Sequence, residues 1–400
     1  LQRRARLQKC PQTCIGGHFR GLSELGHQGP DAQTEGAMDA LSAFAIEGVC
    51  TDIEPLLRGH INQTWISTWD HQGQRRRYLH QRINETVFQR VGGLMGNIEL
   101  VTKRLAETAH EAGYESLTLI PTRDGESWCR RAGGPWRTYD FVEDTNVFDR
   151  CSGPEQAYAT ARIFGWFQAS LSTLDPTNFA ETIPKFFSPG HRWAQFGSAL
   201  LAIESMQHDG SEKSNGLVAR RSAALPEIEF ARSQSWLIEL FEAHLASGEI
   251  PSRIVHGDTK LNNVLFDANT GEARCVVDLD TCMPGFSLYD FGDMVRFTAA
   301  TSDEDEQDLS LAGTSLEVYR ALAGGFLECA SDAILPLERE LLHLAGPLVS
   351  LVIGLRFLTD HLQGDVYFGV KRANHNLDRA RVQFAQVKHM ESMRDKMLGA

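Results

Sequence analysis

The sequence lacks several features that would place it in other classes of protein. No apolar run reaches the ~18 residues that a membrane-spanning helix needs. The basic segment 1–6 is not followed by the apolar core of a secretory signal. Acidic residues outnumber basic ones, with a net charge of −13 and a pI of about 5.5, which argues against general binding to nucleic acid or to anionic membranes. We therefore expect no nucleic-acid partner and no membrane partner.

Cysteines are few and dispersed. There are eight of them, several in apolar segments, so their pattern does not indicate a disulfide framework. Cys10 and Cys14 have no second pair of ligands at metal-site spacing, and zinc is not expected. We interpret all eight as reduced thiols, which are typical of a cytoplasmic protein.

Both common glycine patterns for phosphate binding, the Walker sequence and G-x-G-x-x-G, are also missing. What the chain has instead is a spaced set of polar residues between apolar strands. His256 and Asp258 lie two apart, Asn263 follows five residues after Asp258, and Asp278 ends the next apolar run. This spacing is typical of the catalytic loop and the metal loop of kinase-fold phosphotransferases.

The spacing suits phosphoryl transfer. One carboxylate must lie beside the attacking hydroxyl, and separate oxygen ligands must hold Mg²⁺ on the nucleotide phosphates. We predict that Asp258 accepts the proton and that Asn263 and Asp278 bind the metal. A turn at 267–271 would join the two strands as a hairpin. The alternative is an ordinary loop whose Asp and Asn cap turns, but three elements in this order favour the functional interpretation.

Other polar residues near this motif have simpler interpretations. We expect His256 to brace the loop rather than act as a base. Asp280 either assists the metal or shapes the loop, and in an extended segment it would share a face with Asp278. Asp290 and Asp293 are expected to cap a helix or brace the catalytic loop.

The order of elements predicts a two-lobed α+β fold of the protein-kinase type. A strand is expected at 117–120, before a hairpin turn at 123–125. Helical spacing predicts helices at 154–171, with Pro154 at the start, and at 228–247.

Residues 1–37 are expected to be a disordered tail, 38–143 a small lobe with an antiparallel β-sheet, and 144–400 a large, mainly helical lobe. The nucleotide would lie between the lobes, and the linker around Val142 and Glu143 would offer backbone groups to adenine.

The small lobe should also contact the phosphates. Gly59 and His60 lie between two predicted strands, where a phosphate-covering loop is expected. The strand that follows has no lysine, and Arg82 is its central cation, with Gln81 beside it. Alternation puts Arg82 with His80 on one face and Gln81 on the other. We predict that Arg82 contacts phosphate, the alternative being an exposed strand arginine.

In these motifs the chain resembles the aminoglycoside phosphotransferase/choline kinase family of small-molecule kinases. The resemblance is carried by His256-Gly-Asp-Thr-Lys-Leu-Asn-Asn263 and Val277-Asp-Leu-Asp280 and covers roughly residues 50–385. Within the family it is most similar to the N-acetylhexosamine 1-kinases, on short matches that include Gly59-His-Ile-Asn62, Glu181-Thr-Ile-Pro184 and Leu355-Arg-Phe-Leu-Thr-Asp360.

The resemblance implies ATP as donor, Mg²⁺ as cofactor and the C1 hydroxyl of GlcNAc or GalNAc as acceptor. It also implies that Arg356 and Tyr367 belong to the sugar site together with Asp258. Two alternatives stay open. One is a kinase of another small alcohol, such as homoserine, choline, an aminoglycoside or another sugar. The other is a non-catalytic nucleotide-binding pseudokinase, which the presence of Asp258, Asn263 and Asp278 disfavours. The sequence leaves the oligomeric state open.

Overall fold

A computed structural model describes residues 30–57, 61–131, 133–186, 188–206 and 211–399. The chain forms two lobes, an antiparallel sheet lobe followed by a larger helical lobe, which confirms the predicted α+β class.

The small lobe is built on a five-stranded antiparallel sheet in the order β1-β2-β3-β5-β4. A long helix, α2, connects β3 to β4, and a shorter one, α1, precedes the sheet. The elements are α1 Pro30–Leu41, β1 Val49–Pro55, β2 Gln63–His71, β3 Gln74–Arg82, α2 Val91–Ala112, β4 Cys129–Arg131 and β5 Gly134–Asp140.

The two faces of this sheet have different environments. One face packs Trp65, Tyr78 and Trp136 against Leu41 and Phe44, forming a small separate core. Alternation along the strands places the neighbouring residues on the other face, which meets the large lobe.

The large lobe begins after Asp140 and carries two small sheets among its helices. In one, β6, β8 and β9 pair in that order, and in the other β7 pairs with β10. These strands are β6 Thr145–Asn146, β7 Arg253–Val255, β8 Val264–Asp267, β9 Ala273–Val276 and β10 Met283–Gly285.

The helices of the large lobe include one that is buried, α11, and several of the others pack around it. They are α3 Pro154–Leu171, α4 Pro189–Met206, α5 Glu212–Ala223, α6 Leu225–Ser233, α7 Ser235–Ser247, α8 Ser287–Thr298, α9 Leu316–Ala330, α10 Pro336–Glu340, α11 Leu342–Gln363, α12 His375–Ser392 and α13 Arg394–Leu398.

Several predicted elements agree with the structure, and others differ for identifiable reasons. The helix predicted at 154–171 and the hairpin at 264–276 are present. The strand predicted at 117–120 forms a single bridge, between Leu119 and Tyr139, because β4 pairs with β5 instead of across the turn at Gly125. The helix predicted at 228–247 is two helices, which meet at Gln234. Helix α1 begins at Pro30, inside the segment predicted as a tail; residues 1–29 lie outside the described residues.

Helix α11 combines the composition of a membrane-spanning helix with a position inside the protein. Averaged over 18 residues it is long and apolar enough to cross a membrane, although no uninterrupted apolar run has that length. However, 89% of that window is buried inside the protein. A core helix has the same composition, because neighbouring helices cover it on all sides.

Helices α3 and α9 cross at unusually close range. A Cβ at Gly165 of α3 would lie 2.5 Å from the carbonyl oxygen of Phe326, and one at Gly325 of α9 would lie 2.4 Å from that of Tyr158. Real side chains do not approach backbone so closely, so glycine at both positions allows this packing.

We predict that Gly165→Ala lowers the free energy of unfolding by about 1–3 kcal/mol, because the added methyl group pushes the two helices apart. The matched control is Gly197→Ala in α4, where a Cβ meets nothing within 4 Å; it should stabilise by roughly 0.5–1 kcal/mol. Urea denaturation of both variants makes the comparison, and equal effects would contradict the close crossing.

Candidate active site

The catalytic loop leaves β7 at Val255 and is held from two sides. His256 is fully buried between Phe164 and Phe167, with ring centroids 5.3 and 5.4 Å away. Its Nε2 lies 3.0 Å from the carbonyl oxygen of Val277, and its Nδ1 accepts from the backbone N–H of Asp258 at 3.2 Å. Burial lowers the pKa of His256, so a neutral imidazole braces the loop, as the sequence predicted.

Asp290 of α8 anchors the same loop through its carboxylate. Its two oxygens accept from the backbone N–H groups of His256 at 2.7 Å and Gly257 at 2.9 Å. Gly257 has φ +82°, a conformation that favours glycine. Burial raises the pKa of Asp290 to about 7, against the opposing effect of these two donors. Asp290 therefore braces the loop, one of the two roles expected for it.

Asp258 lies at the centre of the loop with both carboxylate oxygens engaged. Oδ1 is 2.9 Å from Nζ of Lys260, and Oδ2 accepts from Nδ2 of Asn263 at 3.0 Å. The same amide group donates to the backbone oxygen of Asp258 at 2.8 Å. Within the described part of the chain, no donor contacts Oδ1 of Asn263, so that amide oxygen is available to a ligand.

Asp278 follows β9 and has φ +63° and ψ +59°, a left-handed conformation uncommon outside glycine. Although solvent reaches its carboxylate, the surrounding protein and the charges of Asp280 and Asp258 raise the pKa of Asp278 to about 7. The chain then turns at Leu279–Thr281. Asp278 and Asp280 therefore do not share a face by strand alternation, which corrects the expectation of an extended segment.

The small lobe presents a different cation from the predicted one. Arg82 and Gln81 lie on opposite faces of β3, as alternation required, but Gln81 is on the face that meets the large lobe. Arg82 lies on the other face, with its side chain next to Gly133 and Gly134.

Directly opposite Gln81 in the sheet register is Arg137 of β5. Its Nε and Nη2 donate to Oε1 of Gln81 at 2.9 and 2.7 Å, and its Nη1 forms an ion pair with Asp280. Burial alone would lower the pKa of Arg137, but the negative charge of Asp280 raises it. Sequence reasoning missed Arg137. The signal was a single cation between aromatic residues in a strand, since a buried arginine needs a partner.

Four other residues were predicted to contact the nucleotide. Gly59 and His60 lie outside the described residues. Val142 and Glu143 lie in the linker between the lobes. The carbonyl oxygen of Val142 accepts from Thr145 Oγ1 at 3.2 Å, and that of Glu143 accepts from Arg274 at 2.9 Å. Their role toward adenine stays a prediction.

Arg356 lies on α11 within a group of aromatic rings. Its guanidinium carbon is 5.4 Å from the ring of Phe186, 5.9 Å from that of Tyr367 and 5.4 Å from that of Phe368. It makes no hydrogen bond or salt bridge to any residue that the structure describes. The structure thus brings Arg356 and Tyr367 together, as the resemblance implied.

A second cation lies beside this group. Arg192 of α4 donates to the backbone oxygen of Phe186 at 3.0 Å. Burial and the charge of Arg356 lower the pKa of Arg192 to about 10. Arg192 and Arg356 are thus two neighbouring guanidinium groups, and the charge of Arg356 also acts on the buried carboxylate of Glu304.

One short segment connects the aromatic group around Arg356 to the metal loop. Thr182 Oγ1 donates to the backbone oxygen of Asp280 at 3.2 Å, and Phe186 lies only four residues further on. Four residues span at most ~14 Å, so the backbone of Phe186, whose ring packs against Arg356, lies within that distance of the backbone of Thr182.

Fold and site together define a kinase-like phosphotransferase with a small-molecule cleft. The sequence profile of the phosphotransferase enzyme family, APH, matches residues 52–324, more than half of the chain. The chain belongs to this family and is a small-molecule phosphotransferase.

Solved structures show the same fold. An aminoglycoside phosphotransferase from Alicyclobacillus acidocaldarius superposes with a TM-score of 0.53 at 14% identity, covering 94% of this chain and 97% of that one. An ethanolamine kinase from Plasmodium vivax superposes with a TM-score of 0.50 at 13% identity, covering 87% and 85%. At these identities the likeness establishes the fold alone.

We predict that Asp290→Ala destabilises the protein and slows turnover together. Two buried N–H groups lose their acceptor, at about 1–3 kcal/mol each, and a displaced catalytic loop costs at least ~10-fold in rate. The control is Asp395→Ala, an exposed carboxylate on α13. Chemical denaturation and steady-state kinetics make the comparison; wild-type values for Asp290→Ala would remove Asp290 from this role.

Proposed function

We propose that this protein transfers the γ-phosphoryl group of ATP to the anomeric C1 hydroxyl of an N-acetylhexosamine, GlcNAc or GalNAc. The observation that carries the kinase part is the environment of Asp258. Its carboxylate is fixed by Lys260 and Asn263 on a loop that Asp290 and His256 hold rigid. An oriented carboxylate of this kind can accept the acceptor's proton as the phosphoryl group arrives.

The residues around Asp258 suit a magnesium ion. Oδ1 of Asn263 and the carboxylate of Asp278 are hard oxygen donors of the type that Mg²⁺ prefers. Desolvation by the surrounding protein and the negative charges of Asp280 and Asp258 raise the pKa of Asp278, and a divalent cation would relieve the repulsion among these carboxylates. In the proposed reaction Asn263 and Asp278 hold the ion, and the ion would neutralise charge on the β- and γ-phosphate oxygens.

The proposed nucleotide site lies between the lobes, with adenine against the Val142–Glu143 linker. Of the two arginines Arg82 and Arg137, it is Arg137 that lies on the face of the sheet that contacts the metal loop, through Asp280. We therefore do not keep Arg82 as the phosphate contact.

The acceptor pocket supports a neutral sugar over a cationic acceptor. Arg356 and Arg192 would repel the ammonium group of choline, ethanolamine or an aminoglycoside, since like charges in a partly buried site are unfavourable. Arg356 offers donors to sugar hydroxyls or to an acetamido carbonyl. Tyr367, 40% exposed, adds a ring against which a sugar can pack.

We predict that Asp258→Asn retains nucleotide binding and loses ~10²–10⁴-fold in turnover, the usual contribution of a general base. Asp308→Asn, in the loop before α9, is the control for loss of a carboxylate. Nucleotide affinity is measured by titration calorimetry and turnover by coupled ADP release. Turnover within a few-fold of wild type would refute the assignment and favour another base.

The acceptor is tested by a coupled screen of sugars, amino alcohols and aminoglycosides, followed by phosphorus NMR of the product. We expect a sugar 1-phosphate from GlcNAc or GalNAc. A 6-phosphate, or reaction only with homoserine, choline or an aminoglycoside, would overturn the substrate and leave the kinase activity. Nucleotide binding without any transfer would indicate a pseudokinase.

We predict that Arg356→Ala raises the sugar KM at least ~10-fold while the ATP KM changes little, because a site built to hydrogen-bond its substrate loses that donor. Arg394→Ala is the matched control. Arg394 lies on α13, and its guanidinium carbon is 5.6 Å from the ring of Trp236. Equal changes in the two KM values would mean that Arg356 is structural rather than part of the acceptor pocket.

A further inference from the structure

The carboxylate of Asp280, two residues after Asp278, is held by two residues of the small lobe among those that the structure describes. Its Oδ1 pairs with Nη1 of Arg137, and its Oδ2 accepts from Nδ2 of Asn62 at 2.6 Å. Asp280 is 3% exposed and Arg137 is 1% exposed. The two side chains of a buried ion pair must keep their relative position, because either charge alone would be strongly disfavoured there.

Three separate pieces of the small lobe build this contact. Arg137 is fixed by two hydrogen bonds to Gln81 on the adjacent strand. Asn62, which precedes β2, is fixed by accepting from the backbone N–H of Asn84 at 3.0 Å. Strands β3 and β5 and the segment before β2 therefore act on Asp280 as one rigid group.

On its other side, the turn that carries Asp280 is tied to the large lobe. Thr281 Oγ1 donates to the backbone oxygen of His256 at 2.7 Å, and Thr182 Oγ1 donates to that of Asp280 at 3.2 Å. The proposed metal ligand Asp278 lies at the start of this turn. Its position thus depends on contacts from both lobes.

We propose that Arg137 and Asp280 are positioning residues that couple the small lobe to the metal loop, so that the sheet which covers the nucleotide also sets the place of Asp278. This inference rests on the proposed kinase activity. Neither residue needs to contact phosphate. Their effect on the reaction passes through Asp278, where a displacement of about 1 Å can cost ~10²-fold in rate.

A double-mutant cycle separates positioning from simple stabilisation. Arg137→Met and Asp280→Asn each leave an uncompensated buried group, and each should lower the unfolding temperature. The double variant removes both charges and should recover most of that loss. Turnover and MgADP affinity, measured by calorimetry, should nevertheless stay ~10–100-fold below wild type in the double variant.

The matched control is the cycle Arg381→Met and Glu227→Gln, an ion pair of 2.7 Å within the large lobe. It should change stability without changing MgADP affinity. A double variant of Arg137 and Asp280 with wild-type turnover and wild-type MgADP affinity would overturn the proposal, since the pair would then be structural only.

Arg137→Lys keeps the inference testable if the double variant does not fold. Lysine keeps the charge opposite Asp280 but lacks the planar donors that hold Gln81 and Asp280 together. We expect a folded protein with at least ~10-fold weaker MgADP binding, and unchanged binding would overturn the proposal. MgADP binding requires no acceptor. A wild-type protein that fails to bind MgADP would therefore overturn the kinase proposal itself, and this inference with it.

Discussion

Mutual repulsion among carboxylates is the constraint on which the rest of this structure depends. Desolvation by the surrounding protein and the nearby charges of Asp280 and Asp258 together raise the pKa of Asp278. Two cations and a set of backbone contacts oppose that repulsion: Lys260 pairs with Asp258, and Arg137 pairs with Asp280. Asp258 and Asp280, the two buried members of this cluster, thus each have their own cation.

The proposed acceptor site around Arg356 is held by a similar use of one carboxylate. Asp360, one turn after Arg356 on α11, accepts from the backbone N–H groups of Val366, Tyr367 and Phe368 at 2.9, 2.7 and 2.9 Å. Helix α11 thus carries Arg356 and, four residues later, Asp360. The carboxylate of Asp360 holds the loop with Tyr367 and Phe368 next to the guanidinium of Arg356. The position of residues 366–368 is therefore set by contacts within the protein.

Local patterns were enough to predict the parts of the site that depend on local chain geometry. The hairpin that carries Asp258, Asn263 and Asp278 follows from strand alternation and turn residues, and the bracing role of His256 follows from its place before the loop. Helix α3 was also predicted correctly, because Pro154 marks its first turn. The family profile agrees with the motif that suggested it.

The predictions that differ from the structure are those that depended on which face of a strand meets a distant part of the chain. Alternation separates Arg82 from Gln81 but does not say which of them faces the large lobe. That choice is made by Trp65 and Trp136, which pack against Phe44 and Leu41 and so turn the face of Arg82 away from the cleft. Once that face is covered, Arg137 is directed toward Asp280. The cation next to the metal loop is thus chosen by aromatic packing on the opposite side of the sheet, an effect that no pattern within one strand contains.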